Sequence, residues 1–283
     1  MKKQLLLTAA GLIAVVSLFF FGRTVEKKTS KPGAAAALNA APAFNITAYI
    51  SQAKQKLPAS QILALSKLEN SVTRGDVLNQ QVAANKALAN FWKDSIHSFE
   101  PYAYYLSQSV KLENSEKNLT FAAQLILDNL ISEQDPAKLD WQTAQAIELF
   151  EQAIKLDPES DVLKIGLGSC YVYGKGRTGR PEETMKGIQQ LLAVVRKDST
   201  NMRAQLVLGV GGFLSGQYDK AIDRLNKVVK AQPNNLEAVA YLADAYAGKG
   251  EKAEAIRWYQ VMKKLANKPE YDKEIDQRIK LLQ

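Results

Sequence analysis

The 283-residue chain has a single cysteine, Cys170, and a single histidine, His97. One cysteine excludes an internal disulfide and leaves the redox compartment unread. One histidine excludes His-pair metal sites and any mechanism needing two imidazoles, and the usual Cys and His ligand set for zinc is missing. No stretch shows the apolar–polar alternation and turn signals of β-hairpins, so strands are not expected. Positive charge is also scarcer than the net +8 suggests. Lys2, Lys3, Arg23, Lys27, Lys28 and Lys31 stand against Glu26 alone, so residues 1–31 hold +5 and the rest of the chain only +3. This excess flanks a hydrophobic segment and makes no basic face on the folded part, which excludes nucleic acid as the partner. No paired carboxylates stand out from ordinary solvated helix faces. We therefore expect no catalytic residues, no cofactor and no metal.

What is present begins with one long hydrophobic run, Leu5 to Phe21, bounded by Lys2-Lys3 and Arg23. At helical rise it reaches about 26 Å, enough to cross a hydrocarbon core with some thinning. A cleaved signal peptide is the rival, but its apolar region is usually about 7–15 residues and a small-x-small site should follow. Here Phe19-Phe20-Phe21-Gly22-Arg23 follows, with no cysteine to be lipidated, so an uncleaved anchor over residues 1–23 is the preferred reading. Its orientation has two indications. The Met-Lys-Lys start is like that of a bacterial inner-membrane signal-anchor, which would leave the body periplasmic. Two lysines before the run and four basic residues after it lean the other way under the positive-inside rule. The periplasmic side is preferred. Residues 24–45, with Thr29-Ser30-Lys31-Pro32-Gly33 and an alanine tract lacking large apolar residues, read as a flexible linker.

Helical periodicity starts near Ile46 and continues to the end, and its strongest feature is an internal repeat. Leu167-Gly168-Ser169-Cys170-Tyr171, Leu208-Gly209-Val210-Gly211-Gly212 and Leu242-Ala243-Asp244-Ala245-Tyr246 form one column. Ala146-Ile147 with Phe150, Gly187-Ile188 with Leu191, Ala221-Ile222 with Leu225, and Ala255-Ile256 with Tyr259 form another. The second column steps by 41, 34 and 34 residues, and Asp157-Pro158 and Gln232-Pro233 close two units. A Leu-Gly pair and Tyr on helix A, then Ala, an aromatic and a terminal Pro on helix B, resemble the tetratricopeptide-repeat family. The fold class that follows is all-α: a superhelical array of helical hairpins after a single N-terminal transmembrane helix. We place a divergent helical region at 46–115, with a hairpin over 58–96 turning at Arg74-Gly75-Asp76, and repeats at 116–269. A capping helix at 270–283 uses the stripe Tyr271, Ile275, Ile279, Leu282. Gly168, Gly209 and Ala243 on the A helices should face Gly187, Ala221 and Ala255 on the B helices, where a large side chain would push the pair apart.

The resemblance implies a protein or peptide partner in a concave groove lined by helix A. Carried onto this chain, the groove positions are Val162, Ile165, Ser169, Val172 and Tyr173, then Arg203, Leu206, Val210, Phe213 and Leu214, then Glu237, Ala240, Asp244, Ala247 and Gly248. The first two sets are apolar, so either a partner binds there or the chain's own N-terminal helices fold back and cover them. Tyr173, Arg203, Leu206, Val210, Phe213 and Leu214 are the candidate partner contacts.

Gly174 to Pro181 superficially matches a phosphate loop, but Arg and Pro replace the Lys and hydroxyl residues and a helix precedes it, so a nucleotide site is rejected. Lys175, Arg177 and Arg180 remain candidate anion ligands before a helix N-terminus, against the plainer reading of a solvated insertion. Cys170 lies in a small-residue column and reads as buried and inert. His97 reads as a helix-end residue, and Tyr102, Tyr104 and Tyr105 as packing. The functional expectation is a membrane-anchored scaffold or adaptor for envelope proteins. The alternative is a regulatory subunit, or an enzyme with its active residues in 46–139.

Overall fold

The computed structural model describes residues 43–74 and 77–283. The expected membrane anchor, nearly all of the linker, and Gly75 and Asp76 of the expected turn lie outside the described residues. Thirteen α-helices follow one another, and no strand occurs among the described residues. They are α1 (Ile46–Lys54), α2 (Ala59–Arg74), α3 (Leu78–Asn90), α4 (Phe99–Glu113), α5 (Glu116–Ser132), α6 (Pro136–Leu156), α7 (Asp161–Ser169), α8 (Pro181–Lys197), α9 (Met202–Leu214), α10 (Tyr218–Ala231), α11 (Leu236–Lys249), α12 (Lys252–Ala266) and α13 (Pro269–Leu282). Two π-helical turns, Phe91–Ile96 and Cys170–Gly176, extend α3 and α7. No described helix is long and apolar enough to cross a membrane.

Local chemistry sets the boundaries. Asn201 and Asn235, one repeat length apart, each accept the backbone N–H three residues on, at 3.0 Å, and so start α9 and α11. Asp135 accepts from Ala137 and Lys138 ahead of α6, and Pro136, Pro181 and Pro269 open their helices, where a missing N–H costs nothing. Gly250 closes α11 with φ +87°, a conformation that glycine enters without strain. Phe44, at the end of the expected linker, already rests on the folded body, its ring 5.3 Å from that of Trp141.

Helices α5–α6, α7–α8, α9–α10 and α11–α12 form successive antiparallel hairpins; one core centred on Leu149, Phe150, Leu191 and Leu225 runs from α4 to α11, and a second joins α11, α12 and α13. Burying each such side chain is worth about 1.5–3 kcal/mol. Gly168 meets Gly187 as expected, whereas Gly209 packs chiefly on Leu225, at 2.7 Å from an added Cβ, and Gly212 approaches Ala221 most closely. A Cβ on Gly187 would lie 2.4 Å from Tyr171 Cβ and 2.9 Å from the Gly168 carbonyl. Ala221 is fully buried, and a Cβ on Gly212 would sit 3.3 Å from it. Cys170 is also fully buried, and burial pushes its thiol pKa up, so it is inert. A separate core forms around Leu65, Leu88 and Trp92, with Tyr102, Tyr104 and Tyr105 packed against it as expected. His97 ends the first π-helical turn in the left-handed conformation, its N–H donated to the Trp92 carbonyl.

Two expectations need correction. In α13 Ile275 is buried against Ala243, Ala255 and Tyr259, with Ile279 and Leu282 partly buried on the same cluster. Tyr271 is exposed, with the Lys268 ammonium 5.6 Å from its ring centre, because it lies in the first turn before the helix reaches the array. The extra residues at 174–180 are not simply a solvated insertion. The second π-helical turn carries Gly174 into contact with Thr143 of α6, where any Cβ would lie 2.1 Å from the Thr143 hydroxyl oxygen.

Candidate partner-binding surface

The A helices present their inner faces to one another as well as to their own B helices. The Tyr173 hydroxyl donates to Glu237 Oε1 at 2.6 Å, and an Arg203 N–H donates to Gln124 Oε1 at 3.0 Å. Each bond joins units that are not neighbours: the α7 unit to the α11 unit, and the α5 unit to the α9 unit. Burial, reinforced by the Glu237 carboxylate, raises the Tyr173 pKa, so the hydroxyl stays a donor at any physiological pH. The same two causes raise the Tyr241 pKa, with Arg177 opposing.

These contacts decide the predicted groove. Tyr173, Leu206 and Val210 are interior, at 4%, 9% and 0% exposure, and cannot be reached by a partner as they stand. Among the described residues, the A helices of the array itself close over this apolar strip. Val162 alone of the first set is widely exposed, at 58%. Arg203 is exposed at the rim. Phe213 is half-buried, its ring 5.6 Å from Tyr241 and 6.2 Å from Tyr218. Leu214 is half-buried too, but it lines a separate cleft beside α8. Of the candidate contacts, Arg203 is exposed and Phe213 and Leu214 are half-buried; Phe213 is joined by Tyr241 and Tyr218, which the groove spacing did not select. The groove spacing selects Arg203 and, counted from Glu116, would also select its partner Gln124, which the sequence reading did not name. It also missed Phe121, one turn earlier on α5 and 59% exposed.

The three candidate anion ligands have internal partners. Lys175 is buried and donates to Asp140 at 2.7 Å, with Glu183 at 3.7 Å. Arg180 pairs with Asp140 at 3.0 Å and Glu183 at 3.6 Å. Burial alone would raise the Asp140 pKa, but the Lys175 hydrogen bond and the two cations outweigh it and hold the carboxyl below its ordinary value. Arg177 donates to the carbonyls of Leu130 and Ile131 in the last turn of α5 and of Glu133 just after it. The loop is a structural clasp between units. Among the described residues, no group of three or more His, Cys, Asp or Glu is placed to hold a metal ion.

A tetratricopeptide-repeat family model matches residues 213–273. The BBSome complex member BBS4 of Bos taurus is 27% identical over 177 residues, covering 60% of this chain and 33% of its own. This chain thus spans about a third of that relative's length. Among solved structures, MamA (41-end) from Desulfovibrio magneticus RS-1 superposes with a TM-score of 0.47 at 18% identity, covering 68% of this chain and 97% of that one. Another MamA structure gives 0.45 at 18% identity, covering 69% and 96%. With its repeat columns, its hairpins and the family match over 213–273, the chain is a tetratricopeptide-repeat protein.

Proposed function

We propose that the chain is a non-catalytic scaffold that holds a protein partner on the rim of its A-helix layer and is tethered to the bacterial inner membrane by residues 1–23, its body in the periplasm. One observation carries the partner site. The half-buried Phe213–Tyr241–Tyr218 group lies at the last turn of α9, and the exposed Arg203 lies in the first turn of the same helix. Aromatic residues and arginine are the residue types enriched in binding hot spots. The similarity to a member of a multi-protein complex supports an assembly role. The uncharged run Leu5–Phe21 between basic flanks supports the tether.

The test uses full-length chain captured from detergent-solubilised membranes. Arg203→Glu and Phe213→Ser should each keep native helicity by circular dichroism and lose at least tenfold in partner recovery. Full recovery with both variants would sink the rim as the site. A chain starting at residue 32 should leave the membrane fraction; if it stays there, the tether is elsewhere.

A further inference from the structure

A separate cleft of about 670 Å³ opens between two successive units, with α8 as one wall, α9 as the floor and α10 as the other wall. Its apolar lining is Met185, Ile188 and Leu192 from α8 and Leu208, Gly211 and Leu214 from α9. The repeat column explains the space. Tyr171 and Tyr246 occupy this column in the flanking units, whereas the middle unit has Gly212. No ring fills the interval at Gly212, while Ile188 packs over Gly211, where a Cβ would lie 2.7 Å from its Cδ1. The volume falls within the range of about 300–1,000 Å³ typical of small-molecule sites.

Two cations on α10 border this apolar space. Lys220 and Arg224 are four residues apart and so share one helix face. Among the described residues, each has only a neutral amide oxygen as its hydrogen-bond partner: Lys220 donates to Gln217 Oε1 at 2.8 Å, and Arg224 to Gln205 Oε1 at 2.8 Å. The third basic residue at the cleft, Arg180, is by contrast held by Asp140 and Glu183. Burial pulls the Arg224 pKa down, with Asp223 opposing, as expected for a partly desolvated guanidinium short of negative charge. The hydroxyls of Thr184 and Ser215 donate to the backbone carbonyls of Arg180 and Gly211, so the lining between the cations and the floor stays apolar. An apolar slot under two incompletely neutralised cations is complementary to a molecule with a hydrocarbon body and an anionic head.

We propose that this cleft binds a single-chain aliphatic carboxylate, its tail between Met185, Ile188, Leu192 and Leu208 and its head on Arg224 and Lys220. The planar guanidinium of Arg224 can take a carboxylate through two parallel hydrogen bonds. The cleft is sized for one hydrocarbon chain, which disfavours a two-chain phospholipid. It shares none of Arg203, Phe213, Tyr218 or Tyr241, so it is independent of the partner rim.

The probe is dodecanoate, titrated calorimetrically below its micelle concentration into the full chain, with dodecyltrimethylammonium as the cationic counterpart. Dodecanoate should bind at least tenfold more tightly than the ammonium. The Lys220→Gln/Arg224→Gln double variant should lose at least tenfold in dodecanoate affinity while keeping its helicity and Tm. Met185→Trp, which places bulk at a half-exposed wall position, should weaken dodecanoate without altering the charge. Equal affinity for both head groups, or an unchanged affinity in the double variant, would overturn the proposal. So would binding only to phosphatidylglycerol vesicles, or only to an acidic peptide ending in an apolar residue.

Discussion

Tyr173 and Glu237, 64 residues apart in the chain, share a hydrogen bond of 2.6 Å across the inner face of the A helices. Tyr173→Phe removes the donor and leaves a half-buried carboxylate without its partner, at a cost of about 1–3 kcal/mol. Amide exchange in α11 should accelerate, because that helix loses its link to the α7 unit. A double-mutant cycle with Glu237→Gln in thermal melts measures the coupling. A coupling of zero would show that the bond does not form in solution.

Arg177 is expected to behave as a capping residue. Arg177→Ala should cost about 1 kcal/mol or more, because the carbonyls of Ile131 and Glu133 lose their donor and that of Leu130 keeps only the Glu133 N–H. Arg177→Lys should recover little of it, since an ammonium cannot reproduce the fork that spans those acceptors. Urea melts distinguish this from a surface charge, whose removal would be nearly silent and whose replacement by Lys would be neutral.

Ala221→Leu tests the closest approach of α9 and α10. With Ala221 fully buried and the backbone of Gly212 against it, overpacking should cost about 1–3 kcal/mol or more. Cys170→Ala removes little volume and should cost about 1 kcal/mol. Equal, negligible changes in Tm would mean that the two helices are farther apart than described.

Alkaline pH should weaken the fold through Tyr105 and Tyr259. Burial pushes both up to about 12, with Glu69 adding to the first and the hydrogen bond to Asp244 adding to the second, where Arg278 opposes. Their folded pKa values lie above the unfolded value of about 10. The neutral forms are therefore favoured in the fold, and their contribution is complete below about pH 10 and lost as pH rises toward 12. Ultraviolet phenolate titration alongside circular dichroism checks this. Tyr105→Phe should flatten the alkaline decline.

The helical hairpins and their closest approaches were legible because they depend on residues at fixed spacing. Gly187 against Gly168, and Ala221 against α9, follow from columns separated by one repeat. What escaped depends on the angle between units, which no single repeat encodes. Whether Val210 is groove or core is decided by how sharply the A helices converge. Lys175 and Arg177 read as free cations because their partners, Asp140 and the Leu130 carbonyl, are 35 and 47 residues away on other helices. Tyr271 fits the helical stripe perfectly well in sequence, yet α13 starts beyond the edge of the array.

The bonds from Tyr173 to Glu237 and from Arg203 to Gln124 each skip a unit. Repeat arrays whose units touch only adjacent units unravel from their ends, one hairpin at a time, with energies that add along the line. Here each skipping bond fastens the unit between its ends, so the terminal hairpin cannot peel away without releasing a tie two units inward. Such an array should yield abruptly under a stretching force instead of paying out hairpin by hairpin like a loosened spring.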